Sequence, residues 1–231
     1  MSSRDLLQRQ GHHFVDFARS LAPADWAQPS LCTQWTNQEV LAHLVIGYSL
    51  SVPALCWGMA THHLNFDDTN TALAQRLSAQ HSPQALVDSF ELLIDHKRGI
   101  GKLFPPRLLV GDHVLHHLDI ALALAKPAGI PDDVLNAVLD TEVKIPNPFV
   151  PAKRNARDLT LRATDTGWTF SAGRGTRGVV EGHAAHLASA LAGRPHALAF
   201  LDGDGVATLG ARIAHPTAGQ HHDARETRRL W

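Results

Sequence analysis

The chain has 231 residues, 44% of them hydrophobic and 19% charged, enough for one large or two small domains with a true core. A formal net charge of -1 and the lack of a basic stripe, apart from "RETRRLW" at the end, argue against nucleic acid as the main partner. No apolar run reaches membrane-spanning length, "MSSRDLLQRQGHHF" lacks the apolar core of a secretion signal, and only Cys32 and Cys56 are present, so a cytoplasmic protein with reduced thiols is expected.

The first half predicts four helices. Leu6, Leu7, Phe14, Phe17 and Leu21 recur at helical intervals, which places an amphipathic helix over 3–21. Thr36 followed by Glu39 is a capping box, with Trp35 and Val40 placed for a hydrophobic staple, and predicts a helix from Asn37 to about Trp57. The connection over 61–82 contains "NFDDTNTALAQRL" and should hold a helical turn. Ser82-Pro83 caps a third helix with Leu86, Phe90, Leu93 and Ile94 on its inner face. Pro105-Pro106 opens a fourth, carrying Leu109, Val114, Leu118 and Leu122 and ending at Lys126-Pro127. Short connections between most of these helices suggest an antiparallel bundle over 1–127.

Beyond Pro127 the texture changes. A short helix near "DDVLNAVLD" precedes the Pro-rich, basic linker "KIPNPFVPAKRNARD", and "LTLRATDTGWTFSA" alternates around Thr166-Gly167 as a hairpin does. "GVVEGHAAHLASALAGRP" reads as a helix ending at Gly193, and "GDG" at 203–205 as a turn. A small α+β domain is therefore expected over 128–214, followed by a tail at 215–231 that lacks periodicity and reads as disordered. The fold class is α+β: a four-helix bundle with a small C-terminal domain.

Sixteen histidines are unusual, although that number yields about one pair at any chosen spacing by chance. Context narrows the choice. His43 lies on a stripe with Val40, Gly47, Leu50 and Ala54 and should face inward. His113 and His117 are four apart on the fourth helix, about 40° apart around its axis, so both can reach one ion. His116 lies to one side of that pair, and Asp119 points largely away. Bundle metals are held by side chains from facing helices, and three imidazoles leave at least one position open. His43, His113 and His117 are thus the expected ligands of a divalent ion, zinc or else nickel. The bland alternative is a set of buried neutral imidazoles bonded to backbone carbonyls.

"CTQWTNQEVLAHL" together with "DHVLHHLDIALAL" resembles the DinB-like superfamily, and within it the actinobacterial mycothiol-dependent maleylpyruvate isomerase-like family. "FDDTN" and "GWTFSAG…GVVEGHAAHLASALAGRP…LDGDG" resemble further segments of that family, so that the likeness spans about 5–213. The resemblance implies a DinB-like bundle, a metal, mycothiol as cofactor, and a small electrophilic substrate undergoing transfer or isomerisation. It also implies an arginine from the C-terminal domain for an acidic substrate, for which Arg194 is the candidate. The resembled isomerase has a glutamate where His113 stands under this alignment. Two readings from other classes remain beside it: a non-catalytic metal- or ligand-binding protein, and a metal-dependent hydrolase. The expected partners are a small thiol and its electrophile, with no nucleic acid and no membrane; the chain would be a monomer or a homodimer.

Overall fold

The computed structural model describes residues 2–147, 149–171 and 177–215. It divides into two compact units, one running to Ala128 and the other beginning at Gly129. Both are described separately below.

The first unit is helical: α1 (Ser3–Ser20), α2 (Pro23–Trp26), α3 (Asn37–Ser49), α4 (Val52–Thr61), α5 (Phe66–Gln80), α6 (Pro83–Asp95) and α7 (Pro106–Ala123). α1 packs on α6 and α7, and α3 packs on the same two, so these four helices close a ring around one core. Phe14, Tyr48 and Phe90 fill it, with Phe90 edge-on to Phe14 at 5.4 Å and stacked on Tyr48 at 5.5 Å.

α3 starts where its capping box requires. The Thr36 hydroxyl accepts from the Glu39 amide at 3.3 Å, and Glu39 Oε2 accepts from the Thr36 amide at 2.6 Å. It ends earlier than the periodicity predicts. Pro53 disfavours continuous helix through 50–52, and the Ser51 hydroxyl instead caps a new helix by accepting from Ala54 N at 3.3 Å. Leu50 and Ala54 therefore do not extend the stripe of His43.

The C-terminal carbonyls of α3 are met from far along the chain. Tyr48 O accepts from Arg98 N at 2.7 Å and Leu50 O from Ile100 N at 2.9 Å. The 3-10 turn over Gly99–Lys102 fits there because Gly101 has no side chain: a Cβ would lie 2.7 Å from Gly47 O and 2.8 Å from Tyr48 Cα.

The expected helical turn between α4 and α6 is in fact the full helix α5, lying along α3. Asn65 starts it, its side-chain oxygen accepting from the amides of Asp67 and Asp68 at 3.0 and 3.2 Å. Asp67 and Asp68 then sit in the first turn, where negative charge is favoured.

The second unit contains α8 (Asp132–Lys144), α9 (Ala152–Asn155), β1 (Thr160–Ala163), β2 (Thr169–Ser171), β3 (Val179–Gly182), α10 (Ala184–Leu191), a 3-10 turn over Pro195–Phe200 and α11 (Val206–Ala214). The hairpin forms, with Leu161 opposite Phe170, and β3 joins β1 in parallel with Val180 opposite Leu161. Val179–Gly182 is thus a strand, not the first turn of a helix. Its β-branched pair suits a pleated sheet, and Gly182 lets Phe200 O approach within 2.8 Å of where a Cβ would sit. α10 stops at Gly193, which has φ +97. Of the tail expected over 215–231, only His215 falls within the described residues. The described residues are mostly helical with one small sheet, an α+β fold. Among the described residues no helix is long and apolar enough to cross a membrane.

Candidate metal centre

α7 is buried on almost every side, from Leu109 through Ala121, which leaves its polar residues in three different surroundings. His113 turns into the core. Its ring meets Tyr48 edge-on at 4.7 Å and Phe90 at 5.3 Å, and its Nδ1 has no hydrogen-bond partner. Burial pushes its pKa down to about 4, so it is neutral. His117 turns towards α1, with Phe17 at 4.4 Å and His13 at 5.5 Å. Gln10 Nε2 donates to its Nδ1 at 3.2 Å; burial and then the neighbouring His13 hold its pKa near about 3.

The expected trio therefore does not assemble. Among the described residues, neither His113 nor His117 belongs to a group of three ligand atoms. The physical reason is rotation: one residue turns a helix by about 100°, and a helix buried all round gives no sequence signal to set the zero. The pair of the same spacing one residue earlier, Asp112 and His116, faces His43 instead.

There the geometry converges. Asp112 Oδ1 lies 3.7 Å from His43 Nε2 and 3.5 Å from His116 Nε2, and all three ligand atoms fall within 4.8 Å of one another. The two rings stand edge to face at 4.7 Å. His43 and His116 are 15% and 12% exposed, whereas Asp112 is 38% exposed, so the group opens to solvent on the carboxylate side.

Both imidazoles are held from behind. His43 Nδ1 donates to Asn70 Oδ1 at 2.9 Å, which leaves the Nε2 lone pair facing the group. Asn70 comes from α5, in the "FDDTN" stretch. His116 Nδ1 donates to Asp119 Oδ2 at 3.1 Å, and the Cys32 thiol donates to that same oxygen at 2.9 Å. Asp119 is buried and its backbone carbonyl also accepts from Leu31 N at 3.1 Å, tying the segment before α3 to α7. The indole of Trp35 covers the two rings at 5.2 and 6.2 Å, its Nε1 donating to Thr71 at 3.3 Å.

Electrostatics agree with that arrangement. Loss of water around it alone would raise the Asp112 carboxyl, yet hydrogen bonds and charge from His116 and then His43 outweigh this and hold it well below the usual range. Burial alone would lower His116; Cys32, Asp112 and Asp119 outweigh it and raise its affinity for a proton. A site that welcomes positive charge between two imidazoles and a carboxylate, with both distal nitrogens already committed, fits a divalent ion. The contacts of Asn70, Asp119 and Cys32 behind the two rings were not read from the sequence, nor was the facing of Asp112 and His116 towards His43. Asp112 shares the i, i+4 spacing to His116 that drew attention to His113, and that was the available signal.

Residues 7–98 match the family model described as the mycothiol maleylpyruvate isomerase N-terminal domain. The matched stretch lies within the first unit. A crystal structure of the mycothiol-dependent maleylpyruvate isomerase is similar at 17% identity and a TM-score of 0.51, covering 83% of this chain and 88% of that one. A mutant of that enzyme with one histidine replaced by alanine is similar at 15% identity and a TM-score of 0.52, with the same coverage. At such identities the likeness shows the fold alone. No curated protein matches the chain in sequence.

Arg194 lies in the second unit, just after α10, where Nη1 donates to Ala192 O at 3.1 Å. It exerts an attractive pull on Glu142, a buried carboxyl whose pKa burial nonetheless pushes well above the usual range.

Proposed function

We propose that the protein is a metal-dependent enzyme that uses a low-molecular-weight thiol, mycothiol, on a small electrophilic substrate, as an isomerase or a transferase. The observation that carries this reading is the convergence of His43 Nε2, His116 Nε2 and Asp112 Oδ1, with Asn70 and Asp119 fixing the far side of each ring. The similarity of residues 7–98 to the mycothiol maleylpyruvate isomerase N-terminal domain supports mycothiol as that thiol.

His43, His116 and Asp112 would hold the ion, zinc or else nickel. Bound there, a divalent ion would acidify a coordinated thiol and fix the position of the thiolate. Asn70 and Asp119 keep both rings in the ligating tautomer. Asp112 adds one negative charge, which sets how strongly positive the site is, and its exposed edge leaves a side open for thiol and substrate. Trp35 screens the imidazoles from water. The thiolate would add to an electrophilic carbon. If that carbon belongs to a conjugated double bond, the resulting enolate would rotate about the former double bond and expel the thiolate, giving an isomerised product. If the enolate instead takes up the proton released by the thiol, the thioether adduct is retained. At a carbon bearing a leaving group, departure of that group with its electron pair completes transfer. Arg194 is our candidate for a carboxylate of the substrate, by resemblance. The protein would act in the cytoplasm as a monomer or homodimer, with no nucleic-acid or membrane partner.

The test is elemental analysis with turnover assays. We expect about one divalent ion per chain, lost in His43→Ala, and double-bond isomerisation or thioether formation that needs both metal and thiol. Metal content unchanged by His43→Ala would sink the site. Turnover of maleylpyruvate-like substrates or esters without thiol would sink the thiol reading in favour of a hydrolase.

A further inference from the structure

The second unit carries an open hollow of about 580 Å³ lined by Arg157, Arg177, Arg212, Asp158, Thr208 and His215, among others. Three guanidinium groups share this wall with one carboxylate. Local backbone structure brings them together. Asp158 sits at φ +58, and its carbonyl accepts from Arg177 N at 2.6 Å, which draws the turn before β1 against the residues leading into β3. Arg212, on α11, is pinned from the other side: Nη1 donates to Asn155 O at 2.7 Å and to Arg157 O at 2.5 Å.

We propose that this hollow binds a small oxyanion carrying two or more negative charges, a phosphate ester or a dicarboxylate, held by Arg157, Arg177 and Arg212.

Three observations carry it. First, Arg212 is preorganised by two backbone carbonyls, so little side-chain freedom is left to lose on binding. Second, Asp158 compensates poorly: Arg157 Nε meets its Oδ2 only at 3.8 Å, with Arg157 74% exposed. Burial, and then repulsion from Arg157, Arg177 and Arg154, loosens the Arg212 proton despite Asp158. Like charges gathered at such a cost are relieved by a bound anion. Third, the volume suits a small molecule, and guanidinium forks match carboxylate and phosphate oxygens in pairs. Thr208 lines the same wall. None of the residues of the histidine site takes part.

The experiment is calorimetric titration of the full chain with inorganic phosphate and, separately, with succinate, at constant ionic strength against a chloride blank. We expect saturable binding of one anion per chain, unchanged by a metal chelator and by His43→Ala. Arg157→Gln with Arg177→Gln should weaken it at least about tenfold, the loss of one or two charge-assisted pairs. Thr208→Val gives a milder second variant and should weaken binding less. Saturation by phosphate alone identifies the phosphate-ester class, and by succinate alone the dicarboxylate class. No saturable binding of either, or equal affinity in the double arginine variant, overturns the proposal.

Discussion

His116 makes two commitments at once. Its Nε2 faces Asp112 and His43, while its Nδ1 donates to a buried carboxylate that also receives the Cys32 thiol. Asp119→Asn keeps the size of that partner but exchanges a full charge for an amide oxygen. Supporting carboxylates of this kind change metal affinity by roughly 10- to 100-fold. We expect Asp119→Asn to retain the fold and to bind zinc about that much more weakly in a chelator competition. Equal affinity would show that the carboxylate does not orient the ring. The neighbouring histidines predict something different. The pKa values of His113 and His117, about 4 and about 3, lie below the 6.5 of an open chain. Between those limits the unfolded chain takes up protons that the folded one refuses. Stability is thus full above pH 6.5 and falls as pH drops, by at most about 1.4 kcal/mol per pH unit for each histidine. Urea unfolding from pH 7 to 4 in chelator should show this slope, and His117→Leu should remove about half of the part due to these two residues. An unchanged slope in that variant would mean that His117 is not buried as described.

At the level of helices and strands, legibility followed how local the cause is. α3 begins at Asn37 because Thr36 and Glu39 bond each other's backbone, and that signal lies within four residues. α6 and α7 likewise begin at proline pairs or caps visible in the sequence. The break after Ser49 could have been read from Ser51 and Pro53, but the apolar run through Trp57 masked it. α5 was underrated because its residues are mixed in polarity, although Asn65 before Asp67 and Asp68 marks its start. Val179–Gly182 reads as strand or helix equally until β1 is there to pair with it. The choice of histidines on α7 missed for a different reason. The i, i+4 spacing recurs in the observed group and His43 faces it from α3, but a carboxylate, Asp112, stands where a third imidazole was expected. The rotation of α7 was not legible, because an aliphatic residue or a histidine lies on every side of it. Only the partners on α3 and α5 distinguish the pair 112/116 from 113/117.

For the molecule as a whole, the division of labour is sharp. Every residue of the histidine group and its supports, from Cys32 and Trp35 through Asn70 to Asp119, belongs to the unit ending at Ala128. Arg194 and the arginine hollow belong to the other. A fragment ending at Ala128 should therefore still bind one zinc ion with an affinity within about tenfold of the full chain, while losing thiol-dependent turnover. Equilibrium dialysis and the turnover assay decide the two halves separately. A soluble, helical fragment without metal affinity would place part of the centre's support beyond Ala128.

The far end of α3 has a bearing on the order of events in folding. Its beginning is written within four residues, but the carbonyls of Tyr48 and Leu50 wait for Arg98 and Ile100, and the turn that brings them must pass Gly101 against bare backbone. Closing so long a loop costs entropy before any bond is made, so the helix that carries His43 should grow from its capped start and be sealed late. Gly101→Ala forces backbone apart and should cost roughly 2 kcal/mol. Because the seal forms after the barrier, that loss should appear almost wholly as faster unfolding, with the refolding rate within about twofold of the parent. Stopped-flow measurements in urea would reveal the opposite, a slowed refolding limb, if residues 98–101 instead take part in the nucleus.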